Sequence, residues 1–279
     1  MDKTFPRALD LETLGLEFDA DGGRCRFELV PKVARHDGTL YGGTAIAVSV
    51  AAMEAVSNRP ALWATTQYIS TAQLGSTVEC RAELLANGRN ISQVQVTGRH
   101  EDRVLFMTLG STATPRPDGL VGQYQVAPQM TSPEESGPLS FGPPPSGFRG
   151  FTLQVEYREA KPLVREASPP PLALWARLTE GRPMTPAGLA FVADMVPGAI
   201  ARSAGKIGGG VSLDNSLRFA EIPPGIDWVL LDLRAQMASG AHAHGSVAVW
   251  SRDGQLLAVG GQSANMTRMI RAEDLDAPA

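Results

Sequence analysis

A carboxylate and a side-chain amide can align a water molecule for attack without any covalent intermediate, and this chain offers such a pair in two recognisable frames. Asp214 falls in Ser212-Leu213-Asp214-Asn215-Ser216, and Gln262 closes Asp253-Gly254-Gln255-Leu256-Leu257-Ala258-Val259-Gly260-Gly261-Gln262. The second frame has a counterpart earlier in the chain, where Asp102-Arg103-Val104-Leu105-Phe106 takes a similar place without a glutamine. Repeated architecture with polar chemistry in one copy points to a duplicated scaffold with one specialised site.

Each of these residues also has a structural use. Asp214 can orient a turn with Asn215 and Ser216, and Gln262 can end a strand as an exposed amide. Asp194 lies among apolar helix residues in Ala190-Phe191-Val192-Ala193-Asp194, so if buried it needs a hydrogen-bond partner. A structural role is the favoured reading for it, with substrate contact as the alternative. Other constellations fail. His242 and His244 share a strand side as a metal pair does, but no third ligand has supporting spacing, so no metal is expected. Gly208-Gly209-Gly210 lacks the spacing of a phosphate loop or a dinucleotide fingerprint, and no serine sits in a Gly-x-Ser-x-Gly elbow.

These groups must be positioned by elements that the hydropathy pattern outlines twice. Gly42-Gly43 opens Thr44 to Val56, apolar nearly all round, which reads as a helix enclosed by other structure. Glycine there permits close backbone approach, and the helix start leaves free amides. Val78, Cys80, Ala82 and Leu84 then alternate with polar residues, Asn87-Gly88 signals a hairpin, and two further strands end near Leu109. In the second half, Phe151–Tyr157 and Leu172–Arg177 read as strands, and Pro186 opens a helix expected to run to Pro197. Four more strands follow: Ser212–Phe219, Trp228–Gln236, Gly245–Trp250 and Gln255–Gly261. A shift of about 150 residues places Gly75 over Gly225 and Asp102 within one residue of Asp253. Between the halves, Pro115 to Gly147 is rich in Pro, Gly and Ser, a composition that resists packing and marks a partly extended linker. The division is therefore 1–114, linker 115–147, and 148–279.

A helix swallowed by an antiparallel sheet, twice, resembles the double hotdog fold, and specifically the acyl-CoA thioesterase II-like family. The residues that carry the resemblance are Tyr41-Gly42-Gly43, Ala190-Phe191-Val192-Ala193-Asp194, Ser212-Leu213-Asp214-Asn215-Ser216, Trp228-Val229-Leu230-Leu231, Asp253-Gly254-Gln255-Leu256-Leu257-Ala258 and Gln262. The resemblance implies an α+β protein with two antiparallel sheets, each wrapping a central apolar helix, joined into a pseudo-dimer. It implies hydrolysis of fatty or related acyl-CoA by water bound to an aspartate, a hydroxyl residue and a glutamine. On that pattern Asp214 is the base or water-orienting anion and Gln262 the amide. The hydroxyl position falls near Gln236, where the chain departs from Thr or Ser; Gln can still hydrogen-bond water, but Gln236 shares strand parity with Asp232 and Arg234, and unless a bulge re-aims it a solvated face is the favoured reading. The backbone at the Gly43-Thr44 helix start could supply an oxyanion donor. Tyr41 and Thr44 read more as loop packing and helix entry than as chemistry, although both would border the pocket with Asp194, and CoA would lie against basic residues such as Arg218 or Arg268. Val50 stands where single hotdog thioesterases often carry a helix acid, so the second half must supply much of the site. A noncatalytic acyl-CoA or lipid-binding module, kept open by Gln236, is the alternative, and a structural or assembly role is a third.

Composition agrees with a globular chain: 279 residues, 43% hydrophobic and 19% charged. A net charge of -4 and the lack of a basic run exclude a phosphate-tracking stripe, so no nucleic-acid partner is expected. Met1-Asp2-Lys3-Thr4-Phe5-Pro6 lacks an apolar signal core and no apolar run reaches membrane length, so the expected location is the cytoplasm, with Cys25 and Cys80 as reduced thiols. Asn90-Ile91-Ser92 matches a glycosylation acceptor by chance in such a compartment. No cofactor is expected beyond the CoA of the substrate, and further self-association into a homo-oligomer is compatible with the chain.

Overall fold

A computed structural model describes residues 17–19, 23–139, 149–164, 171–266 and 269–271. The run Gly142-Pro143-Pro144-Pro145-Ser146-Gly147 and Arg268 lie outside the described residues. The first half comprises β1 (Glu17–Phe18), β2 (Arg24–Glu28), helix α1 (Gly42–Ser57), β3 (Ala61–Tyr68), β4 (Thr77–Asn87), β5 (Ile91–His100) and β6 (Arg103–Ala113). After β7 (Gly137–Pro138), the second half begins with β8 (Val155–Ala160) and β9 (Leu172–Leu178), followed by helices α2 (Pro186–Val192) and α3 (Val196–Ser203). Then come β10 (Lys206–Gly208), β11 (Val211–Ser212), β12 (Asp214–Phe219), β13 (Val229–Ser239), β14 (His242–Ser251), β15 (Leu256–Asn265) and β16 (Met269–Arg271).

The pattern of small and apolar side chains in α1 has the expected result. Every residue from Gly43 to Met53 is buried, and the helix stops at Asn58, whose left-handed φ of 54° suits a residue type that tolerates that region. In β4, Val78, Cys80 and Ala82 face the core while Thr77, Glu79 and Arg81 face outward. Cys25 and Cys80 stand opposite each other across β2 and β4 as free, buried thiols.

All the strands but β10 and β16, which pair only with each other, form one continuous antiparallel sheet, where two, one for each half, were expected. Its order is β1-β2-β4-β5-β6-β3-β12-β15-β14-β13-β9-β8-β7, with β11 also on β15. The halves join where β3 pairs antiparallel with β12, Asn215 opposite Thr66. Each strand would otherwise present an open edge of unpaired amides and carbonyls, and pairing removes both. Outward from that junction, β3-β6-β5-β4-β2 on one side is repeated as β12-β15-β14-β13-β9 on the other. Helix α1 packs on β3 to β6 and against α2, while α3 packs on β13, β14 and β15.

Three expectations change. The helix opened by Pro186 does not run unbroken to Pro197. It stops at Val192, turns through Ala193-Asp194-Met195 and resumes as α3. Pro197 has no N–H to offer the Ala193 carbonyl, which takes the Met195 N–H at 2.8 Å instead. Phe151 is not in a strand. It sits in a short 3-10 turn, Gly150–Leu153, entered through Gly150 at φ 56°, and its ring stacks on Tyr41 at 3.9 Å. Finally, part of the Pro-rich connection is docked. Gln123 accepts the Leu256 N–H at 2.8 Å, the Trp175 indole donates to the Thr131 carbonyl at 2.8 Å, and Ala127 and Met130 cover Trp175, Trp228 and Trp250 on the outer face of the sheet.

Candidate active site

The break between α2 and α3 carries Asp194, and the surrounding elements converge on its carboxylate. Asp194 is only 7% exposed. Its Oδ1 accepts from Asn215 Nδ2 at 3.0 Å and from Gln262 Nε2 at 2.5 Å. The Gly43 backbone N–H, at the start of α1, is a further donor. The same Gln262 nitrogen donates to Ser212 Oγ at 2.8 Å. Burial raises the Asp194 carboxyl from its ordinary range to about 6, opposed by the hydrogen bonds from Asn215, Gln262 and Gly43 and by the charge of Arg35. Gln262 is 1% exposed, and its Oε1 has no hydrogen-bond partner among the described residues.

Strand parity explains which side chains meet. Successive strand residues point to opposite faces. The pairing of Ser216 with Gly261 puts Asn215 opposite Gln262 and Asp214 opposite Ser263. Asn215 and Gln262 therefore face Asp194, whereas Asp214 faces the other side. There its Oδ1 accepts the Ser263 N–H at 2.7 Å and its Oδ2 the Ser263 hydroxyl at 3.3 Å. Ser212 would also point away were the strand regular. Its partner is Ala264, however, so four steps from Ser212 to Ser216 match only three from Ala264 to Gly261. This bulge at Leu213-Asp214 turns the Ser212 hydroxyl to the Gln262 side.

The two glycines before α1 are required by contact. A Cβ at Gly42 would lie 2.7 Å from Asp194 Oδ2, and one at Gly43 would lie 2.5 Å from the Phe191 carbonyl oxygen. The N-terminus of α1, from the first half, thus comes within bonding reach of a carboxylate of the second, where the helix dipole favours negative charge. Tyr68 on β3 supports the approach by donating to the Gly42 carbonyl at 3.0 Å.

The residues singled out from the sequence divide accordingly. Gln262, Gly43 and Asp194 come together. Asp214 does not join them, for the parity reason above. Gln236 does not either: it falls in a bulge between Ala235 and Met237, is exposed, and donates to Ser246 Oγ at 3.1 Å. Thr44 is buried and committed, its hydroxyl to the Val33 carbonyl at 2.8 Å and its N–H to Tyr41 O at 3.0 Å. Tyr41 is buried with its hydroxyl on backbone carbonyls of the α2 end. Arg218 is exposed on β12. Sequence reasoning missed Ser212 and Asn215, both of which stood within the quoted frame around Asp214.

A cavity of about 410 Å³ opens at Asp194, Ser212 and Gly42. Leu139, Phe151, Leu172 and Met195 give it apolar walls, and Arg35, Arg202 and Lys206 add cationic groups. Arg35 meets Asp37 at 3.6 Å, and Arg202 is tied to Glu159. A larger hollow of about 650 Å³ between β1, β2, β4 and β5 is walled by charged residues and touches none of the Asp194 cluster. The first half has a neutral network in the helix–sheet interior: Thr66 and Thr108 hydroxyls at 2.8 Å, Thr108 to Ser49 at 2.8 Å, and Ser49 to the Ala45 carbonyl at 2.8 Å. It holds no ionisable group. No group of three or more metal-type ligands occurs among the described residues.

Residues 31–113 match the family model described as the acyl-CoA thioesterase N-terminal domain, and residues 125–266 the one described as the acyl-CoA thioesterase C-terminal domain. Among curated proteins none matches the chain. Among solved structures, a proposed thioesterase from Novosphingobium aromaticivorans is 28% identical with a TM-score of 0.81, the match covering 91% of this chain and 98% of that one. An acyl-CoA thioesterase II, TesB2, from Mycobacterium marinum is 17% identical with a TM-score of 0.72, covering 94% and 98%. A protein of hot dog fold from Alicyclobacillus acidocaldarius is 18% identical with a TM-score of 0.77, covering 94% and 98%. The last two show a shared hotdog fold. No helix among the described residues is long and apolar enough to cross a membrane.

Proposed function

Because this chain belongs to the acyl-CoA thioesterase family and is a thioester hydrolase, we propose that it cleaves fatty or related acyl-CoA by direct attack of a water held between Asp194 and Gln262. The observation that carries the reading is the convergence of Asn215, Gln262 and the Gly43 amide on one buried carboxylate beside an apolar cavity.

In this scheme the water donates one hydrogen to the Asp194 carboxylate and the other to Gln262 Oε1, the buried acceptor without a partner among the described residues. A carboxyl with a pKa of about 6 is mostly ionised at neutral pH yet more basic than an ordinary aspartate, which suits a general base. Water oxygen bonds to the thioester carbon as its proton passes to Asp194. The developing oxyanion lies toward the helix start at Gly42, which borders the cavity. Collapse breaks the carbon–sulfur bond, and the proton on Asp194 passes to the departing thiolate, giving the free acid and CoA. Ser212 fixes the rotation of the Gln262 amide by taking its second hydrogen. CoA enters only as part of the substrate, and its phosphates fit the Arg35 and Lys206 side of the cavity better than Arg218.

The repeated strand order supports reading the single sheet as a double hotdog, the fused equivalent of a pseudo-dimer, with one half supplying the helix start and the other the base. Cytoplasmic residence and a place in fatty acid metabolism belong to the same proposal. The noncatalytic alternative rested on Gln236, which is not part of the cluster. The test is release of free CoA from a panel of acyl-CoA chain lengths by the purified protein. Turnover that drops at least about 100-fold in Gln262→Ala supports the reading. Saturable binding without turnover at any chain length contradicts it.

A further inference from the structure

We propose that Tyr41 and Tyr157 are positioning residues that hold the Asp194 carboxylate in place by capping backbone carbonyls left open where the helix breaks. This rests on Asp194 being the base of the reaction above.

In an unbroken helix each carbonyl accepts from the amide four residues on. Across this break those donors are diverted. The Met195 N–H, which would serve Phe191, goes to Ala193 O at 2.8 Å. The Gly198 N–H, which would serve Asp194, goes to Met195 O at 3.1 Å. Buried carbonyls left so are costly, and two phenols take them up. Tyr41 Oη lies 3.2 Å from both Phe191 O and Asp194 O and shares its single hydrogen between them, Tyr157 Oη donates to Val192 O at 2.9 Å, and the two phenols are also in hydrogen-bond contact with each other. The rings are themselves pinned. Phe151 stacks on Tyr41 with planes 5° apart and meets Tyr157 edge-on at 6.5 Å. Burial holds both phenols well above their ordinary range, so they remain donors throughout the working pH range. The turn carrying Asp194 is thereby fixed from both halves of the chain, by Tyr41 ahead of α1 and Tyr157 on β8.

Removing the hydroxyls has a signature beyond loss of stability. A carbonyl without its donor presents a stronger negative potential to the neighbouring carboxylate, which favours the protonated acid. The other titratable groups facing Asp194 or its cavity are Arg35, His36, Asp37 and Tyr68 from the first half and Arg202 and Lys206 from the second, and none is altered here.

The experiment measures kcat and KM for acyl-CoA hydrolysis from pH 5 to 9, with Tm, in wild type, Tyr41→Phe, Tyr157→Phe and the double variant. Phenylalanine keeps the ring stack. The expected result is an acid limb of kcat moved up by about half a pH unit or more, kcat at pH 7.5 lower by about 10-fold, and KM within about twofold. Either single variant carries the same readout in smaller measure should the double variant not fold. A lowered Tm with the wild-type acid limb and kcat overturns the proposal. Asp194→Asn measured in parallel separates the two claims: full activity there overturns the base assignment itself, whatever the tyrosine variants do.

Discussion

Replacing Asp194 by asparagine should stabilise the folded protein at neutral pH, and the gain should vanish in acid. The carboxyl titrates at about 6 in the folded state against 3.8 ordinarily, because burial penalises its charged form. A difference of about two units corresponds to about 3 kcal/mol. Between these two values the folded state binds the proton more tightly than the unfolded state does. Wild-type stability from this group is therefore fully present below about pH 4, is lost as pH rises toward 6, and stays lost above. Asparagine is neutral throughout, and its Oδ1 can still accept from Asn215 and Gln262. Any fixed change in hydrogen bonding offsets the comparison equally at every pH, so the diagnostic is the slope. Urea unfolding of both proteins at pH 4.5, 5.5, 6.5 and 7.5 measures it. The stability difference should rise in favour of the variant by about 2 kcal/mol across that range. A difference that stays flat within about 0.5 kcal/mol would refute a buried, mostly ionised carboxylate at this position.

Gly42→Ala places a methyl 2.7 Å from Asp194 Oδ2, so kcat should fall at least about 10-fold while KM changes little, as steady-state kinetics on one acyl-CoA would show. Gln236→Ala removes an exposed bond to Ser246 and should leave kcat within about twofold and stability within about 0.5 kcal/mol, checked by the same assay and by urea unfolding. Arg35→Gln should raise KM for acyl-CoA severalfold yet leave KM for the matching acyl-N-acetylcysteamine, which has no phosphate, within about twofold; an equal rise of KM for both substrates would count against a phosphate contact.

Much of the scaffold was legible in the sequence because its signals are local. The apolar run after Gly42-Gly43 could only be an enclosed helix, and alternation at Val78, Cys80 and Ala82 fixed a strand and its inward face. What the sequence hid were features set by tertiary contact. Ala61–Tyr68 was not foreseen as a strand, and nothing local announces that its free edge meets Asp214–Phe219 and merges the halves into one sheet. At the cluster, Gln262 stood out by type and place, but the carboxylate it bonds is Asp194 and not the Asp214 that the sequence set beside it. Asp214 and Gln262 look paired along the chain, yet register puts them on opposite faces. Ser212 shares parity with Asp214 in a regular strand, and only a bulge brings it to Gln262. One signal did point to the carboxylate at the centre of the cluster: Asp194 among apolar helix residues, with Pro197 three positions later, is a buried charge beside a helix break.

The claim that Asp194, and not Asp214, is the base is tested most directly by comparing Asp194→Asn with Asp214→Asn in a CoA-release assay at pH 7.5. Asp194→Asn should lower kcat by about 1000-fold with the fold intact, while Asp214→Asn, acting on the far face through Ser263, should stay within about fivefold of wild type. Near-complete loss in Asp214→Asn together with retained turnover in Asp194→Asn would contradict the account.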